Sequence, residues 1–167
     1  MPRRLRHFAP AAPVHLTAHG VDDQPLFRTD LDRFALLALL RRVTERVRWQ
    51  VVVWCFMDTH YHMLVIPEED PRISWAMLTL NSVYAREFNQ RHRRRGHLFG
   101  ERYTDTPITS ELHLRAARAY ILDNPVRAGL VRSAVDWPWS GEGELEPRAE
   151  PVTKLLHLRD KGVRWRG

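Results

Sequence analysis

The chain carries a single cysteine, Cys55, and only two lysines, Lys154 and Lys161. One thiol excludes an intramolecular disulfide, and no CxxC pair is present to found a zinc knuckle. Cys55 lies in WQVVVWCFM, residues 49–57, and reads as a small core residue. No apolar run approaches the roughly 18 residues needed to span a bilayer. The opening MPRRLRHFAPAAP is basic but lacks the apolar stretch of roughly 7–15 residues that a secretory signal requires. A soluble, cytoplasmic protein is therefore expected. Internal repeats are lacking too, and 167 residues read most simply as one domain with a real core.

Scarce lysine makes the basic side almost wholly arginine. Lys+Arg number 26 against 20 Asp+Glu, a net charge of +6. The planar guanidinium suits bidentate phosphate recognition. Arginine, alanine and proline rise together, however, as a GC-rich coding bias would make them, so composition alone leaves nucleic-acid binding open. Position decides more than number.

The pattern along the chain predicts alternating strands and helices. VHLTAHGV, residues 14–21, alternates as a first strand, and Asp30 is placed to cap a helix over LDRFALLALLRRVTERV. Trp49–Met57 is β-branched and aromatic, a second strand. Asp58-Thr59 forms a tight turn into a third strand, His60–Ile66, and PEEDP is a loop. Ile73 to Arg91 reads as an amphipathic helix that Gly96 stops, Leu98–Ile108 as a fourth strand. Thr109 or Ser110 caps a third helix, ELHLRAARAYILDN, which Pro125 ends. The order βαββαβ plus a helix gives an α+β, ferredoxin-like antiparallel sheet, with helices on one face and a further C-terminal helix. Residues 1–140 are assigned to this domain. Residues 141–167, polar and rich in proline and glycine, are assigned to a tail with a short helix at its end.

Within the third strand, FMDTHYHMLVIP sets His60 and His62 on one face, because strand positions i and i+2 point the same way. Two neutral imidazoles side by side suit a divalent metal. Two ligands do not complete a site, and ordinary polar residues on a solvated sheet face fit the same spacing. The third helix adds Tyr120 and Asn124 at i and i+4, on one helical face. Each has a bland reading, packing for the tyrosine and a helix stop for the asparagine. If that helix packs near the histidine face, His60, His62 and the Asn124 carboxamide form three sides of a metal site, one turn from Tyr120 as nucleophile. A tyrosine hydroxyl, with an ordinary pKa of about 10, attacks phosphorus poorly without such help.

RHRRRGHLFGERY, residues 91–103, packs arginines, histidines and aromatics around Gly96. Arginines contact phosphates and aromatics stack on unpaired bases, a mixture suited to single-stranded or hairpin nucleic acid, with a solvated helix end and turn as the plain alternative. The nucleic-acid-contact set expected from it is Arg93, Arg94, Arg95, His97, Phe99, Arg102 and Tyr103, with Arg127 of NPVRAGLV added.

These segments, with RRLRHFAPAAPVHLTAHGVDDQPLF, LNSVYAREFNQRHRRRGHLFGERY, AYILDNPVRAGLV and DWPWS, resemble the REP-associated tyrosine transposases of the single-tyrosine HUH superfamily. The resemblance covers residues 3–141, and NPVRAGLV followed by WPWS carries it most specifically. It implies His60, His62 and Asn124 as ligands of Mg²⁺ or Mn²⁺, Tyr61 as the bulky middle residue, and Tyr120 as nucleophile. The implied substrate is single-stranded DNA folded as a palindromic hairpin, cut near a flanking tetranucleotide through a 5′-phosphotyrosine intermediate. Two positions depart from the family pattern. Met57-Asp58-Thr59 replaces Met-Pro-Asn before the first histidine, and His19 replaces the usual arginine. Asp58 is expected to bring a carboxylate near the metal, where it could act behind the ligands. The alternative reading is a catalytically silent hairpin-DNA-binding regulator. An RNA-binding module is disfavoured, because paired histidines stand where exposed aromatics would be needed. A monomer is expected, with pairing of two copies left open.

Overall fold

A computed structural model describes residues 11–68 and 72–148. In chain order the elements are β1 (Val14–His19), a 3-10 turn (Val21–Asp23), α1 (Asp30–Val47), β2 (Trp49–Phe56) and β3 (His60–Pro67). After them come α2 (Ile73–Arg91), β4 (Thr104–Pro107), α3 (Glu111–Arg127), a second 3-10 turn (Ala134–Asp136) and β5 (Ser140–Glu142). The five strands form one sheet in the order β4-β1-β3-β2-β5, with every pairing antiparallel. Its first four strands follow the ferredoxin-like order expected of βαββαβ.

The two sheet faces bury different helices. Leu16, Trp54, Phe56, Tyr61 and Met63 pack with Leu36, Leu40, Met77, Leu80 and Tyr84, which puts α1 and α2 on one side. Val53, Cys55, Met57 and Leu64 pack with Ala117 and Ile121 of α3 on the other. His60 and His62 share the parity of Leu64, so they stand on the α3 face. Cys55 is buried there, and burial pushes its thiol up to about 12, a packing residue as expected.

Several boundaries differ from the sequence reading, each for a local reason. Thr29, not Asp30, caps α1. Its side chain takes the N3 backbone N–H while the Asp32 side chain takes the Thr29 N–H, a capping box. Helix α2 is capped at His92, before Gly96, and Arg93 turns the chain at φ 49°. Ser110 caps α3 by accepting the His113 N–H. Pro125 does not end α3. It lies inside the last turn, where it removes one backbone donor without ending the helix, and Gly129 at φ 71° closes it. The fourth strand is only Thr104–Pro107. Before it, Phe99 makes an isolated bridge with Gly20, and residues 100–103 swing out of the sheet.

The boundary expected between residues 140 and 141 falls inside β5, which pairs with β2. Leu145 is buried in the main core, and Arg41 Nε donates to its carbonyl at 2.8 Å. The short helix expected near the chain end, part of the PEEDP loop and the first residues of the leader lie outside the described residues. Among the described residues no helix is long and apolar enough to cross a membrane.

Candidate active site between β3 and α3

Strand pairing sets up the site. In the β1–β3 register His19 faces His60, Thr17 faces His62 and His15 faces Leu64. His15, Thr17 and His19 therefore share the face of the two β3 histidines. His62 is buried, and its two ring nitrogens look different ways. Nδ1 lies 3.0 Å from Thr17 Oγ1 and 3.0 Å from His15 Nε2. Nε2 lies 3.2 Å from the Asn124 amide nitrogen. An amide nitrogen only donates, so Nε2 is the acceptor and Nδ1 carries the proton in this tautomer.

Burial, and then the neighbouring His60, His15 and His19, pushes His62 down to about 3. His60 is lowered as well, by burial first and His19 next, with a hydrogen bond to Asn124 opposing. Its Nδ1 meets Thr59 Oγ1 at 3.2 Å, and its ring stacks on His19 with centroids 4.7 Å apart. Both rings thus remain neutral at physiological pH, with a lone pair available. His15 is lowered too, by burial and then by His113.

Helix α3 completes the arrangement. Asn124 reaches both histidines, and Tyr120 stands one turn earlier with 42% of its surface exposed. The Tyr120 ring is edge-on to His62 at 5.7 Å and to His15 at 6.3 Å. The Arg127 guanidinium lies 5.3 Å from its centroid. His60, His62, Tyr120 and Asn124 are therefore brought together. Ile121, fully buried against the sheet, holds the helix at this height.

The donor set suits a divalent cation. Among the described residues no three His, Cys, Asp or Glu side chains group as metal ligands, so two imidazoles need a third donor of another kind. The Asn124 carboxamide, already converging on both rings, is such a donor.

Three placements go beyond or against the sequence reading. His15 and Thr17 were missed as neighbours of His62. The alternation of VHLTAH carried the signal, but only the β1–β3 register turned it into contact. Asp58 does not serve the histidines, because its Oδ1 accepts from Arg33 Nη2 at 2.5 Å. Arg33 is a buried cation and draws the nearest carboxylates. His19 is exposed and lies over His60.

The basic turn divides as well. Arg93, Arg95 and His97 are exposed, as DNA contacts require. Arg94 instead braces the turn, donating to Asn89 Oδ1 and Gln24 Oε1. Arg102 is exposed but donates to Ser74 Oγ and Tyr103 Oη. The aromatics do not stand out as free stacking platforms. Tyr103 is buried, and the Phe99 ring packs on Tyr61 and Tyr84 because Leu98 and the 100–103 loop tuck under α2. Arg127 lies beside Tyr120, away from that turn in sequence and use.

The family described as Transposase IS200 like matches residues 12–124. A Haemophilus influenzae protein assigned as a REP-associated tyrosine transposase is 27% identical over 111 residues. The match covers 60% of this chain and 62% of that protein, so the chain spans less than two thirds of that relative's length. The solved structure of a REP-associated tyrosine transposase bound to a REP hairpin has a TM-score of 0.70 at 18% identity, covering 100% of this chain and 92% of the other. A Deinococcus radiodurans protein assigned as a transposase gives 0.50 at 17% identity, over 74% and 97%. At such identities the structural likeness establishes the fold.

Proposed function

The chain belongs to the IS200-like transposase family, and from that premise we propose that it nicks and rejoins single-stranded DNA at palindromic hairpins through Tyr120. REP hairpins are the substrate suggested by the REP-associated transposases among its relatives. One observation carries the chemistry: Asn124 bridges His60 and His62, and Tyr120 sits one helical turn from it with its ring exposed beside His62.

In this reading Tyr120 Oη attacks the scissile phosphorus and the P–O3′ bond breaks. The enzyme then holds a 5′-phosphotyrosine, the phenol proton has gone to solvent, and the 3′-oxygen leaves as a hydroxyl. The new ester conserves the bond energy of the old one, so a different 3′-hydroxyl can reverse the step and join strands. Mg²⁺ or Mn²⁺ held by His60, His62 and Asn124 would polarise a non-bridging phosphate oxygen, orient the diester and stabilise the departing 3′-oxygen. Thr17 keeps the proton of His62 on Nδ1, which leaves Nε2 its lone pair toward Asn124. Arg127, over the Tyr120 ring, sets a cation beside the attacking group, where it can meet the negative charge of the phosphate.

The test is a labelled single-stranded hairpin incubated with the protein and Mn²⁺, then run on a denaturing gel. A protein–DNA adduct is expected from wild type and none from Tyr120→Phe, while both bind the hairpin. Binding without an adduct from wild type would leave only the silent regulator. An adduct from Tyr120→Phe would remove Tyr120 as nucleophile.

A further inference from the structure

DWPWS, residues 136–140, lies where the chain passes from α3 to β5, and both its tryptophans hold one residue of β2. β5 pairs with β2 as far as Cys55, which stands opposite Ser140. Phe56, the last residue of β2, lies one step beyond that ladder, so its backbone groups need other partners. The tryptophans supply them. Trp137 Nε1 donates to the Phe56 carbonyl at 3.1 Å, and the Phe56 N–H donates to the Trp139 carbonyl at 2.8 Å. Directly after Phe56 the hairpin closes, with the Met57 N–H donating to the His60 carbonyl at 2.8 Å. The Trp137 indole is therefore bonded to the strand end from which the chain turns into His60.

The same ring meets both layers of the core. It packs against the cluster that holds Trp54 and Phe56 on the α1/α2 side, and against the one that holds Ala117 and Ile121 of α3. Ile121 follows Tyr120 directly. The 3-10 turn just before the ring, Ala134–Asp136, packs on α3, and its Ala134 carbonyl accepts the Trp137 backbone N–H at 3.3 Å. On the turn side, the Arg33 guanidinium lies 5.9 Å from the indole and pairs with Asp58. The candidate site has two halves, Tyr120 and Asn124 on the helix, His60 and His62 on the strand. Trp137 stands at the junction of their supports.

We infer that Trp137 is a positioning residue for strand cleavage: its indole ties the helix that carries Tyr120 to the turn that delivers His60, and so fixes the spacing between the two. The inference rests on the DNA-processing reading above. In-line attack needs Tyr120 aligned with a phosphate held at the histidines, and a misplacement of about 1 Å there costs up to about a hundredfold in rate. Core packing alone would account for the buried part of the ring. The N–H aimed at the Phe56 carbonyl, and the hold that Arg33 shares on the same turn, point to alignment.

The experiment compares Trp137→Phe, which keeps an aromatic ring but deletes the N–H, with Trp54→Phe in the full chain. Trp54 is the matched case: its indole also donates to a backbone carbonyl, that of Glu144 at 3.0 Å, but beyond β5 and not at the His60 turn. Benzothienylalanine in place of Trp137 keeps the bicyclic ring and lacks only the N–H, so it serves if Trp137→Phe does not fold. Circular dichroism gives the folded fraction. Hairpin affinity and the single-turnover rate of adduct formation are then measured for each protein. Trp137→Phe is expected to slow adduct formation about tenfold at unchanged hairpin affinity. The NMR signals of the His60 ring nitrogens should shift in the same variant, and Trp54→Phe should change neither readout per folded molecule. A wild-type rate in Trp137→Phe, or equal slowing in Trp54→Phe, would overturn the inference. A loss of rate that only follows a loss of affinity would make Trp137 a DNA contact instead. If wild type forms no adduct with any hairpin, the DNA-processing reading itself falls, an outcome seen before any variant is compared.

Discussion

Asp58 stands two residues before His60, at a position where a carboxylate was expected to act behind the metal ligands. The fold gives it another partner. Arg33 has only 11% of its side chain exposed, and it is ringed by Phe27, Trp137 and Trp139 within 5.9 Å. Such a cation needs an anion, and Asp58 supplies it from the hairpin turn at 2.5 Å, with Asp30 a weaker second at 3.5 Å. The Asp58 carbonyl also accepts the Leu26 N–H at 2.8 Å. Side chain and backbone together hold the turn that delivers His60, a task that a stiff Pro-Asn pair performs by its conformation. Asp58→Asn is expected to lower stability by about 1–2 kcal/mol in urea unfolding, since a half-exposed pair is lost but Asp30 remains. Cleavage per folded molecule should change by no more than a few fold. Loss of cleavage at unchanged stability would instead return Asp58 to the metal.

Helices α1 and α2 are joined by a buried carboxylate. Asp32 belongs to the α1 capping box, and it also takes Arg91 Nη1 at 2.6 Å and His92 Nε2 at 2.9 Å from the end of α2. The connection fixes the start of the basic turn, because Arg93 follows directly. Burial alone would raise the Asp32 carboxyl, but the His92 hydrogen bond and the backbone N–H groups of Arg28 and Thr29 outweigh it, and the group ends below the ordinary carboxylate value. The folded state therefore binds this proton less readily than the unfolded chain. The resulting stability is fully present above the ordinary carboxylate pKa of about 4 and is lost as pH falls through the lower folded value. Asp32→Asn should cost about 2–4 kcal/mol at pH 7 and flatten the acid limb of the stability curve below about pH 4. Chemical denaturation across pH 2–7 measures both. An unchanged acid limb would place the titrating carboxylate elsewhere.

At the scale of the whole molecule, charge and chemistry are separated. The neutral imidazoles and Tyr120 lie on the α3 face, whereas the exposed arginines of the 93–95 turn project beyond the end of α2. Hairpin affinity should therefore come from phosphate contacts that the active site does not make. Replacing both Arg93 and Arg95 by alanine is expected to weaken hairpin binding and to reduce the slope of log affinity against log salt by about one unit per lost phosphate contact. Arg94→Ala should act differently, because Arg94 braces Asn89, Gln24 and the Gly96 carbonyl. It should loosen the turn and lower stability. Titrations at several salt concentrations distinguish the two, and an identical slope for the double variant and wild type would remove the turn from the DNA interface.

Much of this was legible in the residues themselves. Period-two alternation marked β1, β-branched and aromatic content marked β2, the Asp58-Thr59 turn introduced β3, helical spacing marked α1 and α2, and i, i+2 with i, i+4 spacing named His60, His62, Tyr120 and Asn124 as groups that share faces. These are local properties, set by backbone geometry over a few residues. What one strand or helix cannot contain is its neighbour. The β1–β3 register put Thr17 and His15 on His62, and the long-range pairing of β5 drew part of the presumed tail into the sheet. Packing under α2 turned Phe99 and Tyr103 inward although their sequence context is as basic as that of any exposed loop. Burial gave Arg33 its claim on Asp58. The sequence alone determined which side chains could perform the chemistry, because spacing fixes direction. Tertiary structure alone decided which of them meet, because contact between distant segments depends on register and on what each face must bury.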